Sequence, residues 1–177
     1  MTSMTRWLSP ILLTMWLASM SLISAQAAHA AQAAETNTKK NAPNMTRNIS
    51  GEFDLKMLPQ PQEGGSAAPG RMLLDKRFHG ALDATSVGQM LALMTATKGS
   101  AGYVAMELVT GSLVGKRGSF TLQHSGTMTR GTPTLSVSVV PDSGTEALHG
   151  LSGQMKIRIE GGKHFYDFEY TLPDKTE

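Results

Sequence analysis

From Thr46 to Pro173 the chain alternates short apolar and polar stretches, punctuated by Gly, Pro and Asp. A period of two with such breaks predicts strands rather than helices. The pattern places strands at residues 49–57, 71–78, 87–95, 102–114, 119–124, 134–140, 154–160 and 163–172. Residues 58–70, rich in Pro, Gln and Gly, read as a long loop, and residues 85–96 would also suit a helix. About eight strands at short spacing predict an all-β domain, a sandwich or a closed barrel. The short connections favour antiparallel neighbours, and the absence of an internal repeat argues against a propeller or solenoid.

Two hairpins decide which side chains face inward. Gly115-Lys116-Arg117-Gly118 reads as a tight turn that opposes Leu113 to Phe120, Gly111 to Leu122 and Val109 to His124. Opposed residues share a face and each strand alternates. One face then carries Tyr103, Ala105, Glu107, Val109, Leu113, Phe120, Leu122 and His124; the other turns polar along most of the hairpin. The first face is the interior candidate, so Glu107 and His124 point inward as diagonal neighbours. Gly161-Gly162 reads as a two-residue turn, setting Ile159 against His164, Ile157 against Tyr166 and Met155 against Phe168. Lys156 then faces Asp167 on the other side, a charge pair suited to solvent.

The expected lumen therefore holds Tyr103, Glu107, His124, His164 and Tyr166 among aliphatic side chains. Buried ionisable groups cost several kcal/mol unless paired. They form either a satisfied polar network or a cavity that orients a ligand or moves a proton. Glu107, His124 and His164 could chemically ligate a metal, but no compact ligand spacing accompanies them. No metal and no cofactor are expected. Gly111 to Lys116 falls one residue short of a phosphate-binding loop and ends in Arg117 rather than Ser or Thr. Gly150-Leu151-Ser152-Gly153 lacks one residue of a nucleophile elbow.

Composition narrows the picture. The 177 residues fit one domain. A net charge of +2 without a concentrated basic stripe excludes an obvious nucleic-acid binder. The lack of Cys removes disulfides and thiol chemistry. Residues 1–30 read as a secretory signal: Arg6 precedes an apolar stretch, and small-x-small sites place cleavage near residue 27 or 30. Residues 31–45 lack periodicity and read as a disordered tail, residues 46–173 as the barrel domain, and residues 174–177 as a short C-terminal tail. The expected address is periplasmic or secreted, with no stable membrane insertion after cleavage.

Several runs carry a family resemblance: Ala101 to Glu107, Gly118 to His124, Val139 to Thr145, Gly150 to Gly153 and His164 to Leu172. In order and spacing they resemble a bacterial exported family of unknown function whose fold is similar to the allene oxide cyclase barrel. The resemblance spans most of Thr46 to Pro173 and implies an eight-stranded antiparallel barrel. It implies no accepted activity. Plant allene oxide cyclases guide the cyclisation of a fatty-acid epoxide in their lumen, and Glu107 is the one plausible lumen carboxylate here.

Three functions stay open at this point. The first is a small exported barrel binding a partly apolar small molecule through Tyr103, Glu107, His124, His164 and Tyr166. The second is a cofactor-independent isomerase or cyclase, with Glu107 as general base or anion stabiliser and His124 relaying a proton. The third is a structural envelope protein with a filled barrel. A homo-oligomer is expected if the Val104-Met106-Leu108 stripe is exposed.

Overall fold

The computed structural model of the chain describes residues 45–61, 65 and 68–174. The expected signal peptide, all but the last residue of the expected leading tail, and residues 175–177 lie outside the described residues. Eight strands follow one another: β1 (Arg47–Gln60), β2 (Gly70–Phe78), β3 (Leu82–Met94), β4 (Ala101–Leu113), β5 (Lys116–Thr129), β6 (Thr132–Val139), β7 (Ser152–Glu160) and β8 (Lys163–Thr171). Each pairs antiparallel with the next, and β1 also pairs with β8, so the sheet closes into the eight-stranded barrel that the strand count implies. The helical alternative for residues 85–96 gives way to β3.

Inward and outward positions alternate along every strand, and the second hairpin forms in the expected register. Glu160 opposes Lys163, Ile157 opposes Tyr166 and Lys156 opposes Asp167. The first hairpin differs. Its turn is Val114-Gly115 rather than Lys116-Arg117, with Leu113 opposite Lys116 and Val109 opposite Phe120. Val114 and Gly115 have φ of 48° and 77°, the left-handed pair that a two-residue turn between twisted strands requires. Gly118 answers a different need: a Cβ there would lie 2.4 Å from the Thr145 carbonyl oxygen, where the β6–β7 link passes close by. The displacement is four residues, an even number, so every side chain keeps its predicted face. His124 moves from opposite Val109 to opposite Ala105 and remains diagonal to Glu107.

The barrel is filled at one end and hollow at the other. The filled end lies by the β2–β3, β4–β5 and β6–β7 connections. The β6–β7 link folds over it through a short 3-10 turn, Glu146–Leu148, and drives Leu148 and Leu151 into the core beside Leu82, Leu113 and Phe120. Burial of each such leucine contributes roughly 1.5–3 kcal/mol. The link is tied to β5 by Thr145, whose amide donates to the Ser119 carbonyl at 2.9 Å and whose hydroxyl accepts the Ser119 amide at 2.9 Å. Phe120 stacks on Phe168, and Phe78 meets Tyr166 edge-on.

The wall has one thin seam. β6 and β7 share a single opposed pair, Ser138 and Gln154. Outside the barrel, Val87, Leu91, Val104, Met106 and Leu108 stand exposed on β3 and β4, so the stripe anticipated on β4 does face solvent.

Candidate functional site

Four consecutive strands each contribute one polar side chain to an arc on the lumen wall. Lys76 on β2 directly opposes Ser86 on β3. Ser86 lies diagonal to Glu107 on β4, and Glu107 diagonal to His124 on β5. All four are buried. Lys76 Nζ donates to Glu107 Oε2 at 2.6 Å, and the Ser86 hydroxyl donates to Oε1 at 2.7 Å. His124 Nε2 lies 3.3 Å from Oε2, close enough to stabilise its charge but outside hydrogen-bond geometry, so no hydrogen bond satisfies this buried ring nitrogen. Lys76 also lies 5.0 Å from the centre of the Phe53 ring and 5.8 Å from that of Phe78, distances at which aromatic faces attract a cation.

Burial pushes the Glu107 carboxyl up, but the His124 ring, the Lys76 ammonium and the Ser86 hydroxyl outweigh it and hold the pKa at about 2. Glu107 is thus a fixed anion. Both of its oxygens are engaged, which suits a carboxylate that positions neighbours and ill suits a general base. Burial, and then the charge of Glu107, raise the Tyr103 phenol above its ordinary value.

Above this arc the lumen is hollow. The cavity measures about 410 Å³ and is lined mainly by apolar groups, among them Phe53, Leu55, Leu74, Met90, Ala92 and Ile157. Its polar lining includes Lys76, Tyr103, His124 and His164. A volume of this size, apolar walls and a few convergent polar groups are the usual features of a small-molecule site. A larger hollow of about 620 Å³ lies against the charged side chains of β1 and β2, including Glu52, Asp54, Asp75 and Arg77. These chains are mostly exposed, and Asp54 pairs with His79 at the surface, so that hollow lacks a desolvated group awaiting a ligand.

The five expected lumen residues separate. Tyr103, His124 and His164 line the cavity. The Tyr103 ring lies over Gly126, where a Cβ would come within 2.3 Å of it. His164 opposes Phe53 and packs on it at 5.2 Å, next to the arc, because the same Phe53 ring meets Lys76. Glu107 points inward as expected but lies behind the cavity wall, fully buried. Tyr166 is placed elsewhere: it is completely buried toward the filled end, where its hydroxyl donates to the His79 carbonyl at 3.0 Å and accepts the Leu82 amide at 3.2 Å. Lys76 and Ser86 are the members that sequence reasoning missed. The alternation Leu74-Asp75-Lys76-Arg77-Phe78 places Lys76 on the face of Leu74 and Phe78, so that signal was present. Among the described residues no group of three His, Asp or Glu side chains converges as a metal site.

Residues 49–170 match the family described as "Protein of unknown function (DUF3224)". The chain belongs to the DUF3224 family. A solved structure of a DUF3224 protein of unknown function from Shewanella oneidensis MR-1 is 48% identical and superposes with a TM-score of 0.70. The match covers 74% of this chain and 100% of the relative, so a chain consisting of the matched portion alone forms this fold. No curated protein matches the chain.

Proposed function

We propose that this DUF3224 protein is a binding module that takes a small, partly apolar molecule into the hollow half of its barrel. The supporting observation is Nε2 of His124, buried without a hydrogen bond on the wall of a mainly apolar cavity and facing only Glu107 Oε2 at 3.3 Å. An orphaned buried polar atom costs about 1–3 kcal/mol, and a ligand with one hydrogen-bonding group would relieve it. Lys76 adds donors from the same wall, since an ammonium has three and Glu107 takes one. The charges of Lys76 and Glu107 offset each other, which favours an uncharged polar group such as a hydroxyl or carbonyl. The apolar body of the ligand would lie toward the mouth against Leu55, Met90 and Ile157.

A second reading, a cofactor-independent isomerase, draws its support from the same ring. In that case His124 would carry the proton while Glu107 stabilises charge, rather than Glu107 acting as base.

The test is native mass spectrometry of the protein purified from its producing cell, together with titration by N-phenyl-1-naphthylamine. A retained small molecule and a saturable signal that the His124→Ala variant weakens would support the binding module. A barrel that carries nothing and gives no saturable signal would overturn it. Chemical conversion of the retained molecule by the protein, lost in His124→Ala, would move the reading to the isomerase.

A further inference from the structure

The two ends of the barrel differ in surface as well as in filling. At the hollow end, where the β1–β2, β3–β4, β5–β6 and β7–β8 connections lie, the rim exposes Met57, Leu58, Leu93, Met94, Met128 and Ile159. Met94 is 82% exposed and Ile159 67%. At the filled end two large apolar side chains are exposed among the described residues, Val114 and, just before β1, Met45. Charge follows the same division. Arg71, Lys98, Arg130 and Lys163 stand exposed around the mouth among the described residues, against Glu160, which pairs with Arg158, and Glu52, which pairs with Lys163 at 3.7 Å. The filled end carries Asp83, Asp142, Glu146 and Asp174 against Arg47, Lys116 and Arg117.

A ring of exposed apolar side chains interleaved with cations, around an apolar opening, is complementary to an anionic lipid surface. The apolar tips would enter the acyl boundary, while the Lys and Arg heads remain at the level of the phosphates. A protein partner with an acidic rim could meet the same charges, but it would also have to enter the mouth to cover apolar residues spread around a ring. A bilayer covers all of them in one plane.

We propose that the open end of the barrel docks peripherally on anionic membranes, with the mouth of the cavity facing the lipid. The inference rests on the rim and not on the ligand reading. Met57, Leu93, Met94, Met128 and Ile159 also line the cavity, whereas Arg71, Lys98 and Arg130 do not, so the charge variants separate the membrane assay from the solution titration.

The test is co-sedimentation of residues 45–177 with vesicles of phosphatidylcholine, alone or with ~30% phosphatidylglycerol. The expected result is binding to the anionic vesicles alone, reversed by ~1 M salt. The triple variant Arg71→Glu/Lys98→Glu/Arg130→Glu should weaken binding roughly tenfold or more. Met94→Asp/Ile159→Asp, which changes two exposed side chains, should weaken it to a similar degree while the circular dichroism of the barrel is unchanged. Equal binding to neutral and anionic vesicles would overturn the proposal. So would no binding at all, or rim variants that bind as the parent does. A mouth-to-mouth dimer seen by light scattering without lipid, and lost in the rim variants, would assign the rim to a second copy and overturn it as well.

Discussion

Lys76 Nζ lies 2.6 Å from Glu107 Oε2, and the two side chains are 4% and 0% exposed. An ion pair so far out of water recovers its desolvation cost only through close geometry and further hydrogen bonds. Here Ser86 supplies a further hydrogen bond to Glu107, and the aromatic faces of Phe53 and Phe78 attract the Lys76 ammonium. Removing one member leaves the other as an unpaired buried charge. Lys76→Met should therefore cost about 3–5 kcal/mol of unfolding free energy. The double variant Lys76→Met/Glu107→Leu, with no charge left to strand, should recover most of that loss. Urea denaturation of the four proteins in the cycle measures both terms; a double variant no more stable than Lys76→Met would show that the pair does not carry this energy.

The same pair predicts an acid response with a definite sign. Glu107 is held at about 2 in the folded chain against 4.5 ordinarily. A depressed folded value means stability that is fully present above the ordinary pKa and lost as pH falls through the folded one. The window runs from about pH 5 down to about pH 2, and the loss amounts to roughly 3 kcal/mol. Glu107→Gln should be less stable at neutral pH and should lack this component of the acid slope. Denaturant midpoints across that range, parent against variant, check it. Parallel curves would show that another group carries the acid sensitivity.

How far the chain discloses this site depends on which signals are local. The second hairpin was readable because Gly161-Gly162 fixes its turn and the Lys156–Asp167 pair independently fixes its register. In the first hairpin, Gly118 imitates a turn residue although it serves a close approach by the distant Thr145 carbonyl, while a β-branched residue, Val114, occupies a left-handed turn position. The displaced register nonetheless kept Glu107 and His124 inside, because side-chain direction repeats every two residues. The first half of β3 was hidden for a different reason. Its lumen positions Ala84, Ser86 and Gly88 are small, while Val87 faces solvent, so hydrophobicity there points to the wrong side. The hollow itself was not legible, since it depends on where the β6–β7 link drops Leu148 and Leu151 into the barrel. Chain separated by dozens of residues meets there, and no local pattern records it.

The proposed cavity can be closed without touching its polar arc. Ala92 lines the hollow and is only partly buried, so a larger side chain there has room to grow inward. Ala92→Phe should reduce N-phenyl-1-naphthylamine binding about tenfold, the effect of losing roughly 1.4 kcal/mol of contact. Stability should stay within about 1 kcal/mol of the parent, because no packed neighbour is displaced. Unchanged probe binding in a well-folded variant would place the probe outside the lumen.

The thin seam predicts uneven dynamics around the wall. β3 and β4 are paired from Leu82–Leu113 through Met94–Ala101, whereas β6 and β7 share the single Ser138–Gln154 pair. Amides that lack a cross-strand acceptor open at low free energy, and amides in long ladders open only with the whole fold. Hydrogen exchange should therefore reach the seam-facing amides of β6 and β7, whose other edges are laddered to β5 and β8, well before the amides shared by β3 and β4. Uniform protection around the barrel would show that the seam is closed by pairing in solution.

Tyr166 offers the sharpest separation between fold and site. Its ring is completely buried toward the filled end, and its hydroxyl bridges the His79 carbonyl and the Leu82 amide, joining β8 to the β2–β3 connection. Tyr166→Phe deletes the bridge while keeping the ring, leaving one buried carbonyl and one amide unsatisfied. The expected loss is about 1–3 kcal/mol of stability. Because the ring does not line the hollow, probe affinity should stay at the parent value under conditions where both proteins are folded. His124→Ala should show the opposite combination, weaker probe binding with a smaller stability change, since its Nε2 makes no hydrogen bond and its 3.3 Å approach to Glu107 leaves the Lys76 and Ser86 bonds to that carboxylate in place. Urea denaturation and fluorescence titration of the two variants side by side read both quantities. A Tyr166→Phe protein that stays stable but binds the probe weakly would return the phenol to the ligand site and break this division of roles.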